Sequence, residues 1–537
     1  MKYLAMTAGL IGSLVLSSCA PAQPGTSGTN GMGNGGMMGN RAQGTDFLPG
    51  QGQDISSLPE AKTSEIIAVK DGDTISLNPT LVRKSIGGKE IAMYGYNGQI
   101  PGPRLQAAQG STFRVNVQND IDMPTAVHWH GIRVTNANDG AVGVTQDEIK
   151  TGGEFTYAVT VPDEGIYWYH SHLREDVQQP MGLYGPIVVT PSTPDAYAKV
   201  DSEQVLILND LLVGHDGAPL PYGAGAPDRV LMGRFGNTFV VNGEEPQPLE
   251  AGLGTVVRFM IANASNTRTY RVVPPPDGGL KIVGGDSGRV EKEYMANSYT
   301  LAPSERVIVE VYFRDEGVNK GAPATRTVPL VVSGPPDDPV TVQSVTITGG
   351  VVGEDRSQAF FRTRTNADVS RSIDPFRSSF DKAPDHTLAL SLGGGMGGHM
   401  MGGTAAPDGI EWEDSSMNTM PMGQMMKWQL TDDATGKSNE NLMYTAKVGD
   451  KLKIRIVNRQ SGMHPMQHPI HFHGQRFLVL SDNGVKNEHL VWKDTTLVPA
   501  GHTVDILLDI SNPGDWMFHC HIAEHLGNGM MGMLRVE

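Results

Sequence analysis

Only two cysteines, Cys19 and Cys520, occur in 537 residues, so no disulfide framework holds this fold. Basic residues are in deficit. Lys and Arg number 42 against 58 Asp and Glu, a formal charge of −16, which argues against nucleic acid as a partner. Such a surface is compatible with cationic substrates such as metal ions, although solubility alone also explains it. Helix signals are few, whereas Gly 66 and Pro 35 favour many short strands joined by turns. The apolar run Leu4–Leu16 is too short for a good transmembrane helix. What is present is enough apolar content, 39%, for several packed cores in about two to four domains.

Lys2 precedes that run, which ends Leu16-Ser17-Ser18-Cys19. The ending is similar to the lipobox of bacterial lipoproteins, which implies a signal peptide over 1–19 and a lipid on Cys19. Ala20 follows, not the Asp that resembles an inner-membrane retention signal. The expectation is an exported chain in the periplasm or cell envelope, held to the outer membrane by lipid alone. Residues 20–60, rich in Gly, Ser, Asn, Gln and Pro, read as a flexible tether. Cys520 then has no disulfide partner, and is either inert or employed as a ligand or nucleophile.

A repeat follows. Gly110–Asn119, Gly254–Asn263 and Gly449–Asn458 each read Gly, two residues, apolar, Arg or Lys, apolar, any, apolar, any, Asn. The alternation marks a half-buried strand ending at a turn. Three copies imply an all-β chain of three similar Greek-key β-sandwich domains, here placed at 61–195, 196–352 and 353–537. The copies start 144 and then 195 residues apart. The excess falls where a Met- and Gly-rich segment, about 393–426, reads as a surface insertion and not part of a core.

Most of the 16 histidines are clustered: His128-Trp129-His130, His170-Ser171-His172, His468-Pro469-Ile470-His471-Phe472-His473 and His519-Cys520-His521, with His525 and Met530 beyond. On a strand, residues i and i+2 share a face, so each His-x-His pair turns two imidazoles to one side, toward a metal or a metal pair. Imidazole suits copper, zinc, iron and nickel. Cys520 discriminates, because its thiolate faces away from His519 and His521. Thiolate, two imidazoles and a weak axial Met form the blue-copper electron-transfer set, and Cys520, His468, His525 and Met530 supply it. A single His-x-His pair is usually structural; four, with a Cys inside the last, are not.

These motifs resemble those of the multicopper oxidases, the family of laccases, ferroxidases and bacterial copper-efflux oxidases. The match is close over roughly 90–190 and 445–537. The resemblance implies three cupredoxin domains and four copper ions. His468, Cys520, His525 and Met530 resemble type 1 ligands; His128 and His471 resemble type 2 ligands; His130, His170, His172, His473, His519 and His521 resemble the ligands of a type 3 pair. The cluster then lies between domains one and three, with domain two a copperless spacer. Asp139 matches a carboxylate that the family places beside the type 2 copper, where it can shuttle protons or tune a bound water. Where many bacterial relatives carry an acid after the second type 1 histidine, this chain has Leu526; Glu524, on the other side of His525, is a candidate proton donor in its place.

Dioxygen is the implied oxidant, with Cu(I), Fe(II) or a phenol as reductant to a monomer. Thioethers are soft and bind Cu(I) well, and Met396, Met400 and Met401 in the insertion, with Met466 near His468, are candidate contacts for substrate copper. The expectation is oxidation of Cu(I) to Cu(II) in copper tolerance. A laccase, a ferroxidase and a copper scavenger without oxidase activity are the alternatives.

Overall fold

Each copy of the repeat becomes a strand: Thr112–Gln118, Val256–Asn263 and Lys451–Asn458. The leading glycines, Gly110, Gly254 and Gly449, adopt φ of +89°, +83° and +97°, a left-handed turn that glycine enters without steric cost. The trailing asparagines are buried, and each side chain ties two carbonyls together. Asn119 Nδ2 donates to Met123 and Ile149, Asn263 to Arg268 and Leu301, and Asn458 to Met466 and Val498, all at 2.8–3.1 Å. The Asn is therefore a clamp used three times.

The structure is a computed structural model that describes residues 47–223, 228–314, 325–349, 354, 356–394, 407–419, 425–459 and 465–537. All of these lie in the unit Asn34–Glu537. Three pairs of sheets follow one another along the chain. In the first, Ile66–Val69, Arg104–Ala108, Tyr184–Thr190, Gly165–Ser171 and Val127–His130 lie side by side in that order, faced by a three-stranded sheet that carries the first repeat strand. Leu105, Val115, Val127, Tyr157 and Tyr169 fill the space between. The second unit pairs six- and five-stranded sheets around Phe259, Ile261, Val309 and Val331. The third pairs seven- and five-stranded sheets around Ile454, Ile456, Phe472, Trp516 and Phe518.

The first repeat strand alternates in burial as its sequence implies. The second is buried on both faces, because its outer face lies in a cluster with Ile166 and Trp168 of the first unit. Its outward Arg258 is matched by Glu310 at 2.7 Å. Polar links then join the first and third units. Arg133 and Arg476 share Asp163, at 2.7 and 2.9 Å, and Asn512 Nδ2 donates to the Val134 carbonyl at 2.7 Å.

Two expectations are corrected. The tether does not extend to 60: Tyr222 N donates to the Phe47 carbonyl at 3.0 Å, Gly50 N to Asp122 at 2.8 Å, and Leu58 is buried. Nor is the Met-rich segment wholly a surface insertion. Within 407–419, Ile410, Trp412 and Asn418 are buried, and Asn418 bonds to Met232 N and the Gly233 carbonyl. Apolar and amide side chains dock here without any periodic pattern to announce them.

Candidate metal centres

Strand register decides where the histidines point. His468–Phe472 runs antiparallel to Gly514–Cys520, with Ile470 opposite Cys520 and His471 opposite His519. Alternation then turns His468 and Cys520 to one face and His471 and His519 to the other. On the first face, Cys520 Sγ lies 3.5 Å from His468 Nδ1 and 3.6 Å from His525 Nδ1, and those two nitrogens are 3.2 Å apart. His525 arrives on the short helix Ala523–Gly527. Met530 is fully buried, and its carbonyl accepts from Cys520 N at 3.1 Å. The Trp428 ring stands 4.6 Å from that of His468 and 4.7 Å from that of His525.

On the other face the first and third units meet. Pairing of Val127–His130 with Gly165–Ser171 sets His128 opposite His170. The His130 ring stacks on His471 at 3.8 Å, and His128 on His473 at 4.1 Å. Three all-histidine sets emerge whose potential ligand atoms all lie within 4.8 Å of one another: His130, His170 and His521; His172, His473 and His519; and His128, His130 and His471. His170 and His172 are divided between the first two sets, as are His519 and His521. Each of these pairs reaches two positions instead of closing on one.

These residues fit copper. His128 Nε2, His130 Nδ1, His170 Nε2, His172 Nε2, His471 Nε2 and both nitrogens of His521 are buried without a hydrogen-bond partner among the described residues. Each such atom costs about 1–3 kcal/mol if left so. Protons are a poor remedy. Burial, reinforced by neighbouring imidazoles, holds His130, His170, His473, His519 and His521 well below the ordinary imidazole range, and brings His172 down to about 3. Bare lone pairs on neutral rings are what a borderline-soft cation needs. Burial also pushes the Cys520 thiol well up, so it ionises only against a bound cation.

Two sequence-family models, both described as multicopper oxidase, match residues 81–194 and 409–537. A multicopper oxidase of Mycobacterium tuberculosis, MmcO, is 27% identical over 493 residues, 85% of this chain and 86% of that one. Laccase-1 of Fomitopsis schrenkii is 28% identical over 473 residues, 80% of each. The crystal structure of a multi-copper oxidase from Pseudomonas thermotolerans superposes with a TM-score of 0.63 at 25% identity, covering 88% of this chain and all of that one. The chain belongs to the multicopper oxidases. It is an oxidoreductase that uses oxygen, built on three cupredoxin-like units.

The carboxylates of this multicopper oxidase divide by position. Asp139 Oδ2 accepts from His473 Nδ1 at 2.8 Å, and the Asp139 carbonyl accepts from His128 Nδ1 at 2.7 Å. Burial works to raise the Asp139 pKa, but His473 and His128 outweigh it and the carboxyl stays well below its usual range. Glu524 is buried and turned to the middle unit, where it accepts from Asn266 Nδ2 at 2.6 Å and Arg234 N at 3.2 Å. It belongs to none of the described metal-ligating groups. Leu526 packs with Ala141, Met517, Met531 and Met533. Met466 is buried two residues from His468, and Met396, Met400 and Met401 lie outside the described residues.

Three further residues escaped the sequence. Glu175, on the helix Glu175–Gln178, is buried 3.3 Å from His172 Nδ1, and burial, with Asp176 beside it, pushes its pKa up to about 8. Asp494 accepts from His130 Nε2 at 3.1 Å through Oδ1 and from His471 Nδ1 at 2.9 Å through its carbonyl. Arg306 pairs with Asp494. Gly131 explains why no larger residue follows the first histidine pair: at φ +81°, a Cβ there would lie 2.3 Å from Asp494 Oδ2. The middle unit is thus no mere spacer, since Arg306 reaches Asp494, the carboxylate against His130.

Proposed function

We propose that this oxidase oxidises four Cu(I) ions to Cu(II), one at a time, and delivers the four electrons with four protons to one dioxygen, giving two waters. Copper supplies the one-electron redox chemistry when bound. Cys520, His468, His525 and Met530 would hold the type 1 ion; His128 and His471 the type 2; and His130, His170 and His521, with His172, His473 and His519, the type 3 pair. Cys520 is joined by one peptide bond to His519 and by another to His521, so a short covalent route leads from the entry site to both sets. Asp139 holds His473 by its Nδ1 proton and keeps a negative charge beside the histidine face.

The observation that supports Cu(I) is the anchoring of the Met-rich segment on the entry site. On one flank Glu411 N donates to Gln467 Oε1 at 2.8 Å, next to His468. On the other, the strand Met426–Asp432 brings Trp428 over His468 and His525. A phenol would need an open approach to these rings, which Trp428 partly covers. Among the relatives, a Campylobacter jejuni multicopper oxidase described as a metallo-oxidase shares the fold at 21% identity.

The test is steady-state oxygen uptake on Cu(I), Fe(II) and a phenol, for the wild type and for a variant with Met396, Met400, Met401 and Met466 changed to Leu. Leu keeps bulk and removes the soft donor. The expected result is a KM for Cu(I) raised by on the order of tenfold, with phenol turnover unchanged. Wild-type preference for the phenol, or Cu(I) kinetics indifferent to the four changes, overturns the assignment in favour of a laccase; preference for Fe(II) does so in favour of a ferroxidase. Uptake no faster than uncatalysed oxidation leaves a scavenger.

We also propose export and a lipid anchor on Cys19, supported by the Lys2–Cys19 pattern, with the enzyme a monomer facing the periplasm. The Cys19→Ser chain is expected to leave the membrane pellet for the soluble fraction. Continued sedimentation with the membrane would show that Cys19 is not the anchor.

A further inference from the structure

We infer that Arg306, from the middle unit, is a positioning residue for the dioxygen-reducing centre: by fixing Asp494 it makes His130 present Nδ1 where five other histidines of the same face present Nε2. The inference rests on the proposed function, since it assigns a role toward copper at that site.

Five of the eight histidines on this face follow one pattern, His130 reverses it, and His521 has neither ring nitrogen bonded among the described residues. His128, His170, His471, His473 and His519 are each held at Nδ1, by the Asp139 carbonyl, the Ser171 carbonyl, the Asp494 carbonyl, the Asp139 carboxylate and the Cys520 carbonyl respectively. Fixing one ring nitrogen leaves the other to act as ligand. His130 is reversed. Its Nε2 meets Asp494 Oδ1 and Thr495 Oγ1, both at 3.1 Å, and its Nδ1 is the buried atom without a partner. Asp494 as acceptor puts the proton on Nε2, so this carboxylate decides which atom of His130 faces the set it shares with His170 and His521.

Asp494 cannot hold that post alone. It is fully buried, and a buried carboxylate without a cation turns toward water, which would take Oδ1 away from His130 Nε2. Arg306, also fully buried, prevents this with a two-pronged contact, Nη1 to Oδ1 at 2.7 Å and Nη2 to Oδ2 at 2.5 Å. The remaining N–H groups are committed as well. Nε donates to the Ile166 carbonyl of the first unit, Nη1 to Ser304 and Nη2 to Asp286 of the middle unit, each at 3.1 Å. The guanidinium therefore touches all three units at one point. Lysine could supply the charge but not the planar fork, nor five donors.

The test compares copper-loaded full-length wild type, Arg306→Lys and, as a control for loosening between units, Arg133→Lys, whose hydrogen bond to Ser511 of the third unit touches no histidine of the centre. Copper per chain is followed during dialysis against a chelator, with the blue thiolate absorption read separately as the type 1 signal. In Arg306→Lys the histidine centre is expected to lose copper affinity by about 10- to 100-fold, the KM for dioxygen to rise, and the blue absorption per chain to stay unchanged. Arg133→Lys should match the wild type on all three. If Arg306→Lys keeps full copper affinity and the wild-type KM for dioxygen while only its unfolding temperature falls, Arg306 is structural and the inference is wrong. Should that variant not fold, the neutral pair Arg306→Met with Asp494→Asn replaces it: selective copper loss supports the inference, and full retention overturns it. A wild type without blue absorption, or holding a single copper, instead defeats the functional assignment itself before any variant is compared.

Discussion

Cys520→Ser protein loses its blue absorption and its substrate-driven oxygen uptake together, yet keeps about three of the four coppers that the proposed assignment gives it. The sulfur is the one thiolate in the described fold, lying against His468 and His525, so its removal abolishes the ligand that gives the entry site its intense colour. A serine hydroxyl is a hard and weak donor for Cu(I) and Cu(II) in that pocket. The histidine face is untouched, because His519 and His521 point the other way. The fall in uptake is expected to exceed about a hundredfold, beyond what loss of a merely supporting residue costs. Oxygen-uptake rates, corrected for uncatalysed oxidation, and copper content by elemental analysis check it. Equal uptake in the two proteins would remove Cys520 from the electron path.

Metal-free protein should unfold in mild acid where the loaded protein stands. Burial depresses the pKa of His130, His170, His172, His468, His471, His473, His519, His521 and His525. A base whose folded pKa lies below its unfolded value binds more protons when unfolded, so stability rises with pH and is lost as pH falls through the unfolded value, about 6.5. Well below that point each imidazole removes about 1.4 kcal/mol per pH unit. Between about pH 6.5 and 5.5 the whole group removes on the order of 10 kcal/mol, comparable with the total stability of a domain, about 5–15 kcal/mol. Bound copper occupies the same lone pairs, so protons must displace it first and the transition moves to lower pH. Tryptophan fluorescence of the two forms along a pH titration measures the gap. Coincident acid transitions would show that these nitrogens carry no such linkage.

The grouping of the histidines with Cys520 was legible because a strand repeats every two residues. That period alone separates Cys520 from His519 and His521, and the antiparallel register of His468–Phe472 with Gly514–Cys520 realises it. The Gly-to-Asn repeat likewise gave the three strands, though not the clamp that each Asn makes. What the sequence hid are contacts between distant segments. Arg306 heads an apolar strand, Arg306–Tyr312, and nothing local distinguishes it from any strand-end arginine. Its partner stands 188 positions away in another unit. Glu524 looked like a substitute proton donor because it neighbours His525, but helical neighbours diverge, and its carboxylate serves Asn266 instead. Asp494 sits in Lys493-Asp494-Thr495, where an acid beside a lysine reads as surface charge; both are buried.

The stacked pairs His130–His471 and His128–His473 bring together rings supplied from opposite halves of the polypeptide. No fragment of this chain can complete the histidine centre, because each half supplies one ring of each stack. During biosynthesis the site of oxygen chemistry comes into being late and all at once, after the second partner of each stack has been made.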